Sequence, residues 1–194
     1  MFIELTDHLR CPAEHDEAFL VLVPDAVVAR GVANGMLGCP VCGAEYPIVG
    51  GVAHLGDAPK ITTTPAELGA DGMLALLGID GPGGYVVFVG DPGRVVAADT
   101  VVFGGIGAVL VNPPIGVSDA PPRVSVLEAG RIPLKSRAVR GVVLGAPYAE
   151  DPVWVADARR VLLPGRHLVG QGVVPADASG LQMLASAGGW WVGV

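Results

Sequence analysis

The sequence predicts an α/β protein: a small cysteine-bearing ribbon at the amino end, then a mostly parallel sheet with helices on its faces. Three observations predict it. Tyr85-Val86-Val87-Phe88-Val89 is a run of five apolar residues followed by Gly90-Asp91-Pro92-Gly93, the pattern of a strand buried on both faces that turns sharply at its carboxyl end. Beyond it, short apolar runs alternate with helical patterns, as they do in a parallel sheet wrapped by helices. All three cysteines, Cys11, Cys39 and Cys42, lie ahead of that region.

Taken in order, the insert Ala13–Met36 reads as a strand over Asp16–Leu22 and a short helix begun near Pro24 and Asp25 and stopped by Gly31. Asp57–Thr64, with Pro59 and three threonines, suits a linker. Thr64-Pro65-Ala66-Glu67 then has the form of a helix start, with Thr64 as N-cap, Pro65 in the first turn and Glu67 at the capping-box position. Leu68, Met73, Leu74 and Leu77 give that helix an apolar stripe, and Gly78–Gly84 ends it. After the buried strand come a helix over Arg94–Phe103, with Val95, Val96, Val101 and Val102 for packing, and strands over Ala108–Val111, Arg123–Leu127 and Gly141–Leu144. The helix Asp151–Leu163 is stopped by Pro164-Gly165 and followed by a strand over His167–Val174, a last helix over Asp177–Ala187 and a last strand over Trp190–Val194. Trp190-Trp191 is either core at that strand or a hydrophobic interface.

The chain has 194 residues and is 51% apolar, enough for one ordinary domain and a small one, and too apolar for disorder. Its apolar runs are broken well short of the roughly 20 residues that span a bilayer. Met1-Phe2-Ile3-Glu4 lacks the basic start of a signal peptide, so a cytoplasmic protein is expected. The net charge is −7, and residues 1–57 hold eight acidic side chains against Arg10 and Arg30, so that segment is −6 and the rest −1. An unaided grip on nucleic acid is disfavoured. The acidic face serves solubility or docks a basic partner.

Cys39-Pro40-Val41-Cys42 is a knuckle closed by Gly43, and Cys11-Pro12 opens a second whose later place is filled by His15. Three thiolates and one imidazole make a complete tetrahedral set for a structural zinc, expected on Cys11, His15, Cys39 and Cys42. Asp16 could replace His15 as an oxygen ligand, and the alternative is a metal-free ribbon with inert thiols. A disulfide has nothing to recommend it in a reducing compartment. His8 and His54 read as ordinary surface or packing histidines.

Around those cysteines, Leu9-Arg10-Cys11-Pro12 and, after the insert, Leu37-Gly38-Cys39-Pro40-Val41-Cys42-Gly43-Ala44-Glu45-Tyr46-Pro47-Ile48 resemble the small zinc-ribbon proteins that bind and activate tRNA and protein methyltransferases. The match covers about residues 5–56 and departs at the first knuckle, where the usual second cysteine is absent and His15 stands one place late. Further on, Arg131-Ile132-Pro133-Leu134, Arg140-Gly141-Val142-Val143-Leu144 and the run from Asp151 through Leu163-Pro164-Gly165 to Val169 resemble the class I methyltransferases that use S-adenosylmethionine. The two resemblances imply a zinc-ribbon-like domain at 1–57, a linker at 58–64, and a trimmed Rossmann-like, mostly parallel sheet with flanking helices at 65–194. That family's sheet carries a seventh, antiparallel strand, and this chain is expected to stop at the sixth.

The resemblance also implies where a cofactor would lie. Gly90 and Gly93 fall in the turn where backbone approaches the methionine end of the cofactor, but Asp91-Pro92 stand between them and Pro92 has no amide donor. Asn112 falls where the family holds both ribose hydroxyls with an acid, and it carries no charge. Glu128 falls at the acidic contact to the adenine amino group. After the fourth strand Gly145-Ala146-Pro147-Tyr148 offers only Tyr148 as polar chemistry. Asn112-Pro113-Pro114 resembles the Asn-Pro-Pro-aromatic signature of amino-group methyltransferases, but it follows the second strand and precedes Ile115, so it reads as a turn ending a strand. Gly81-Pro82-Gly83-Gly84 precedes its strand and is no dinucleotide fingerprint. No Ser/His/Asp or Cys/His catalytic constellation is recognisable, so no catalytic residue is expected. The resulting expectation is a degenerate methyltransferase-like protein acting as a non-catalytic binding or scaffold module, paired with a protein partner or a second copy. The alternative is an active S-adenosylmethionine-dependent methyltransferase with a fused activator-like ribbon.

Overall fold

Strand β7 (Tyr85–Val89) is the spine of the molecule, with all five residues buried. Its side chains alternate between two cores, one on each face of the sheet. Val87 and Val89 join the core that contains Trp154, Val155, Ala158 and Val161, while Val86 and Phe88 join the core that contains Ala70, Met73, Leu77 and Val96. This is a computed structural model, and it describes residues 1–98, 104–117, 123–176, 178 and 180–194.

The remaining elements are β1 (Val21–Pro24), β2 (Val27–Val28), β3 (Gly31–Val32), β4 (Gly35–Gly38), β5 (Glu45–Val49), β6 (Val52–Leu55), α1 (Ala70–Leu77), α2 (Pro92–Ala98), β8 (Gly107–Val111) and β9 (Val124–Ala129). They are followed by β10 (Gly141–Leu144), α3 (Pro152–Val161), β11 (Leu168–Gln171), β12 (Met183–Ala187) and β13 (Trp190–Gly193). Among the described residues, eleven strands form one sheet in the order β1-β4-β5-β6-β9-β8-β7-β10-β11-β13-β12. β9, β8, β7, β10 and β11 run parallel. The ribbon joins them through β6, which pairs in parallel with β9 from Val52↔Val126 to Leu55↔Ala129.

Helix α3 forms as the sequence predicts. Asp151 caps it by accepting from the Val153 amide at 2.8 Å, Pro152 occupies its first turn, and Arg159 and Arg160 lie in its last. Helix α1 differs, starting at Gly69-Ala70 and not at Thr64. The amides that a helix begun at Thr64 would orient along its axis are engaged elsewhere: Thr64 donates to the Ala146 carbonyl at 3.1 Å and Ala66 to the Asp91 carboxylate at 2.7 Å. The residues expected as linker and helix start therefore cross the carboxyl ends of the strands as an extended strap.

Three further expectations are corrected. The short helix placed between Pro24 and Gly31 is the β2–β3 hairpin, in which Ala29 and Arg30 take φ of 48° and 65° as a two-residue turn. Val27 and Val28, β-branched at χ1, favour that extended form. The strand expected over Asp16–Leu22 begins only at Val21. The last helix is in fact β12, joined to β13 by Gly188 and Gly189 at φ of 59° and 76°, a Gly-Gly hairpin that reverses the chain. β13 inserts antiparallel between β11 and β12, so the strand expected to be sixth is seventh in chain order and the antiparallel strand is present. Residues 99–103 of the helix expected over Arg94–Phe103, Asp177 and Ser179 of the last one, and residues 118–122 lie outside the described residues.

The insertion of β13 depends on one small residue. Trp191, 1% exposed and thus core, lies opposite Gly170 with its indole over the position a Cβ there would take. Gly170→Ala is expected to cost about 1–3 kcal/mol by overpacking, seen as a lower urea midpoint at unchanged slope.

Candidate functional site

Two sites sit at the carboxyl-side and ribbon ends of the sheet, and they differ in whether their polar groups are free. In the ribbon, Cys39 to Cys42 turn between β4 and β5. The turn is closed by the Cys39 amide on the Ala44 carbonyl at 2.8 Å and by the Gly43 amide on the Cys39 carbonyl at 3.0 Å, with Gly43 at φ 71°. Cys11 is held by its amide on the Ala18 carbonyl at 2.8 Å, which pinches Pro12–Glu17 into a loop that carries His15 back toward the knuckle.

The four ligand atoms of Cys11, His15, Cys39 and Cys42 lie within 4.8 Å of one another. Cys11 Sγ is 3.8 Å from Cys42 Sγ, and Cys39 Sγ is 3.5 Å from His15 Nε2. Zinc bonds of about 2.3 Å to sulfur and about 2.0 Å to nitrogen, at tetrahedral angles, set neighbouring ligands about 3.8 and about 3.5 Å apart. These two pairs have the spacing of a tetrahedral zinc shell within a cluster whose atoms all lie within 4.8 Å, while 3.8 Å between sulfurs is no disulfide. Outer partners orient it: His15 Nδ1 pairs with the Asp16 carbonyl at 2.6 Å, which turns Nε2 inward, and Tyr46 Oη lies 3.4 Å from Cys11 Sγ. Asp16 thus acts through its backbone. Burial pushes the Cys39 thiol up, but the amides of Cys42 and Val41 and the neighbouring thiols outweigh it and bring it down to about 6. A thiolate at neutral pH is the form that binds metal. Tyr46, which the sequence offers only as part of the ribbon motif, has its pKa pushed up by burial and by the Cys11 side chain beside it, so it stays a neutral donor.

The second site is the carboxyl end of β7, β8 and β10. Gly90, at φ 75°, donates its amide to the Val111 carbonyl at 2.9 Å. A Cβ placed there would meet the Tyr148 ring at 2.9 Å and Thr63 Cγ2 at 3.3 Å, so the space over the glycine turn is filled by the protein itself. One at Gly93 would meet Pro113 Cβ at 3.2 Å. Tyr148 is 2% exposed, packs edge-on against Trp154 at 4.7 Å between centroids, and has the Asn112 side chain near its hydroxyl. Burial raises its pKa. The Asn112 amide is otherwise clamped to one residue of the next strand, donating to the Ala129 carbonyl at 2.8 Å and accepting from the Ala129 amide at 2.9 Å.

Asp91 is turned inward and is 5% exposed. One oxygen accepts from Ala66 N at 2.7 Å and Arg94 Nη2 at 2.8 Å, the other from Arg94 Nε at 3.0 Å. The strap is held further by Gln171 Nε2 on the Pro65 carbonyl at 2.9 Å. Glu128 is exposed and bound to His54 Nδ1 at 2.8 Å. The structure thus brings Gly90, Gly93 and Asn112 together and adds Thr63 and Tyr148. Tyr148 was visible in the sequence as the one polar group after the fourth strand, whereas nothing local to Thr63 announced its place.

No protein-family model matches the chain, and no curated protein matches it. Among solved structures it is similar to a SAM-dependent methyltransferase from Aquifex aeolicus, with 14% identity, 58% of this chain and 82% of that chain covered and a TM-score of 0.42. It is similar also to the antibiotic-resistance methyltransferase Kmr, with 14% identity, 71% and 96% covered and a TM-score of 0.45. A geranyl diphosphate methyltransferase solved with GPP and sinefungin has 18% identity and a TM-score of 0.41 over 50% of this chain, which spans only 41% of that one. The fold is a Rossmann-like, mostly parallel sheet with the antiparallel β13 inserted near one edge; identities and scores this low carry no argument about activity.

Two measurements check these geometries. Elemental analysis is expected to find one zinc per chain, and a chelator to lower the unfolding temperature of the native protein while leaving that of Cys39→Ser unmoved. For Asp91, burial raises the pKa, but the Arg94 hydrogen bonds, the Ala66 amide and the Arg94 charge together hold it below the ordinary 3.8. A carboxylate depressed on folding contributes stability above its unfolded pKa and loses it as pH falls through the folded one. Asp91→Asn is therefore expected to lower stability at pH 7 by about 1–3 kcal/mol, with the gap to the native chain closing at pH below 3.8.

Proposed function

We propose that this chain is a methyltransferase-like protein that acts as a non-catalytic binding or scaffold module in a protein complex. The observation that carries it is the side chain of Tyr148, which lies over Gly90, together with the clamping of the Asn112 amide to Ala129. S-adenosylmethionine needs the space above the glycine turn for its methionine end and a polar group at the end of β8 for its ribose. Here the first is filled and the second is clamped to Ala129. The residues present do not fit the cofactor. Displacing Tyr148 and freeing Asn112 would each forfeit buried contacts of about 1–3 kcal/mol, which together weaken binding by roughly a hundredfold.

In this reading the ribbon of residues 1–57 and the sheet of residues 65–194 work as one unit, supported by the β6–β9 pairing and by Phe2 N on Ser125 Oγ at 2.9 Å. Zinc held by Cys11, His15, Cys39 and Cys42 would supply a structural crosslink there and no reaction. A surface for a partner is supported by the ribbon's outer face. The register sets Val23, Met36 and Pro47 side by side and Val49 beside Val52, and Val21, Val23 and Val49 are 56%, 64% and 57% exposed. The segment that carries this face has a net charge of −6, which favours a basic partner over a second copy. No helix among the described residues is long and apolar enough to cross a membrane.

Titration calorimetry with S-adenosylmethionine and with S-adenosylhomocysteine is expected to show no heat of binding at micromolar concentrations for the native chain. Tyr148→Ala, which empties the space over Gly90, is expected to bind more tightly than the native chain if it binds at all. Micromolar binding by the native chain would overturn the scaffold reading in favour of an active methyltransferase.

A further inference from the structure

At the opposite end of the sheet, where β10 and β11 begin and α3 ends, a cleft of about 620 Å³ opens to solvent. Its wall carries Arg137, Arg159, Arg160 and Arg166, four of the ten arginines of a chain whose net charge is −7. Surface arginines scattered for solubility would not be expected to gather on one concave wall.

Two of the four are committed to the fold. Arg160 pairs with Asp157 at 2.7 Å and donates to the carbonyls of Leu134 and Ile132 at 2.7 and 2.8 Å, and Arg159 donates to the Gly180 carbonyl at 2.7 Å. Among the described residues, the side-chain carboxylates of Asp157 and Glu17 both pair with Arg160, and Val194 also lines the cleft. Among the described residues, Arg137 and Arg166 have no side-chain hydrogen bond or ion pair. The carbonyl end of α3 would repel an anion, but it is capped: Arg160 O accepts from Arg137 N at 2.9 Å, and Val161 O from Ala138 N at 2.7 Å and Val139 N at 3.0 Å. These bonds also fix Arg137, which stands at φ 53°.

We propose that this cleft binds a phosphoryl anion, with Arg137 and Arg166 as its principal ligands. Guanidinium forks match phosphate oxygens two at a time and remain charged at any physiological pH. Leu162, Leu163 and Pro164 line the same cleft and could carry the organic body of a phosphorylated small molecule. The site is remote from Gly90 and Tyr148 and does not depend on the scaffold reading.

The test uses the full chain with inorganic phosphate, pyrophosphate and adenosine monophosphate, each against chloride at equal ionic strength, followed by thermal shift and calorimetry. At least one of the three is expected to raise the unfolding temperature and to bind tenfold or more weakly to Arg137→Gln/Arg166→Gln. Tighter binding of the monophosphate than of phosphate identifies an organic phosphate as the ligand, and the reverse an inorganic one. The single Arg137→Gln variant, at the more exposed of the two arginines, repeats the measurement should the double variant unfold early. The proposal is overturned if none of the anions shifts the native chain relative to chloride, or if the shift persists undiminished in the variants.

Discussion

The parallel pairing of residues 52–55 with 126–129 is the join on which the arrangement of the molecule depends. A four-stranded ribbon of about 35 residues has little core of its own. Docked at the edge of the parallel sheet it shares a core with it, and Leu37, Ile48, Ala53 and Leu55 belong to the same buried cluster as Val87, Val109 and Leu127. The join also covers an edge of β9 that would otherwise present unpaired amides and carbonyls. The amino terminus follows from it: the Met1 ammonium donates to the carbonyls of Val32 and Gly51 at 2.9 and 2.7 Å, inside the crook between ribbon and sheet.

The two sites show opposite uses of polar groups. In the ribbon, three sulfurs and one nitrogen converge with little between them but an ion-sized space, and their outer hydrogen bonds aim them inward. At the carboxyl end of the sheet the groups are paired off with one another: Asp91 with Arg94 and Ala66, Asn112 with Ala129, Gln171 with Pro65. A buried polar group whose partners are all internal is a structural group, because taking it for a ligand means breaking a bond that burial has already made expensive to lose. The same reasoning explains why Asp91-Pro92 is tolerated in a turn that a cofactor-binding protein keeps open. Asp91 anchors the strap, and Pro92 opens α2, where its missing amide is no loss.

The parts of the fold written in local pattern were legible in the sequence. The double-sided burial of Tyr85–Val89, the capped helix after Asp151 and the metal knuckle after Cys39 each follow from spacing and residue type. What was not legible depended on distant partners. Thr64-Pro65-Ala66-Glu67 has the form of a helix start, and only the pull of Asp91 and Ala146, which lie far along the chain, keeps it extended. Leu181–Ala187 has residues acceptable to a helix, but Trp191 packing on Gly170 makes it an edge strand instead. The Gly188-Gly189 pair ahead of Trp190 carried the local signal for that hairpin, and weighing it above helix propensity would have recovered the seventh strand. The crowding of the glycine turn could be suspected from Asp91 and Pro92, yet the ring of Tyr148 over Gly90 is set by packing against Trp154 that no local pattern encodes.

Charge separates the molecule along the sheet in a way that the net value conceals. The ribbon end is acidic around an exposed apolar face, whereas the amino ends of β10 and β11 gather arginines around a cleft. An evenly solvated protein gains nothing from such a division, since each concentration of like charge raises its own repulsion. Arg137 is the clearest case. It holds a left-handed backbone conformation that a glycine would adopt without strain, and its backbone amide caps α3, a task any residue but proline could perform. Neither duty requires a guanidinium. The side chain is therefore surplus to the fold at a place where three other arginines already crowd, and a group kept against both strain and repulsion is best explained by what it faces in solution.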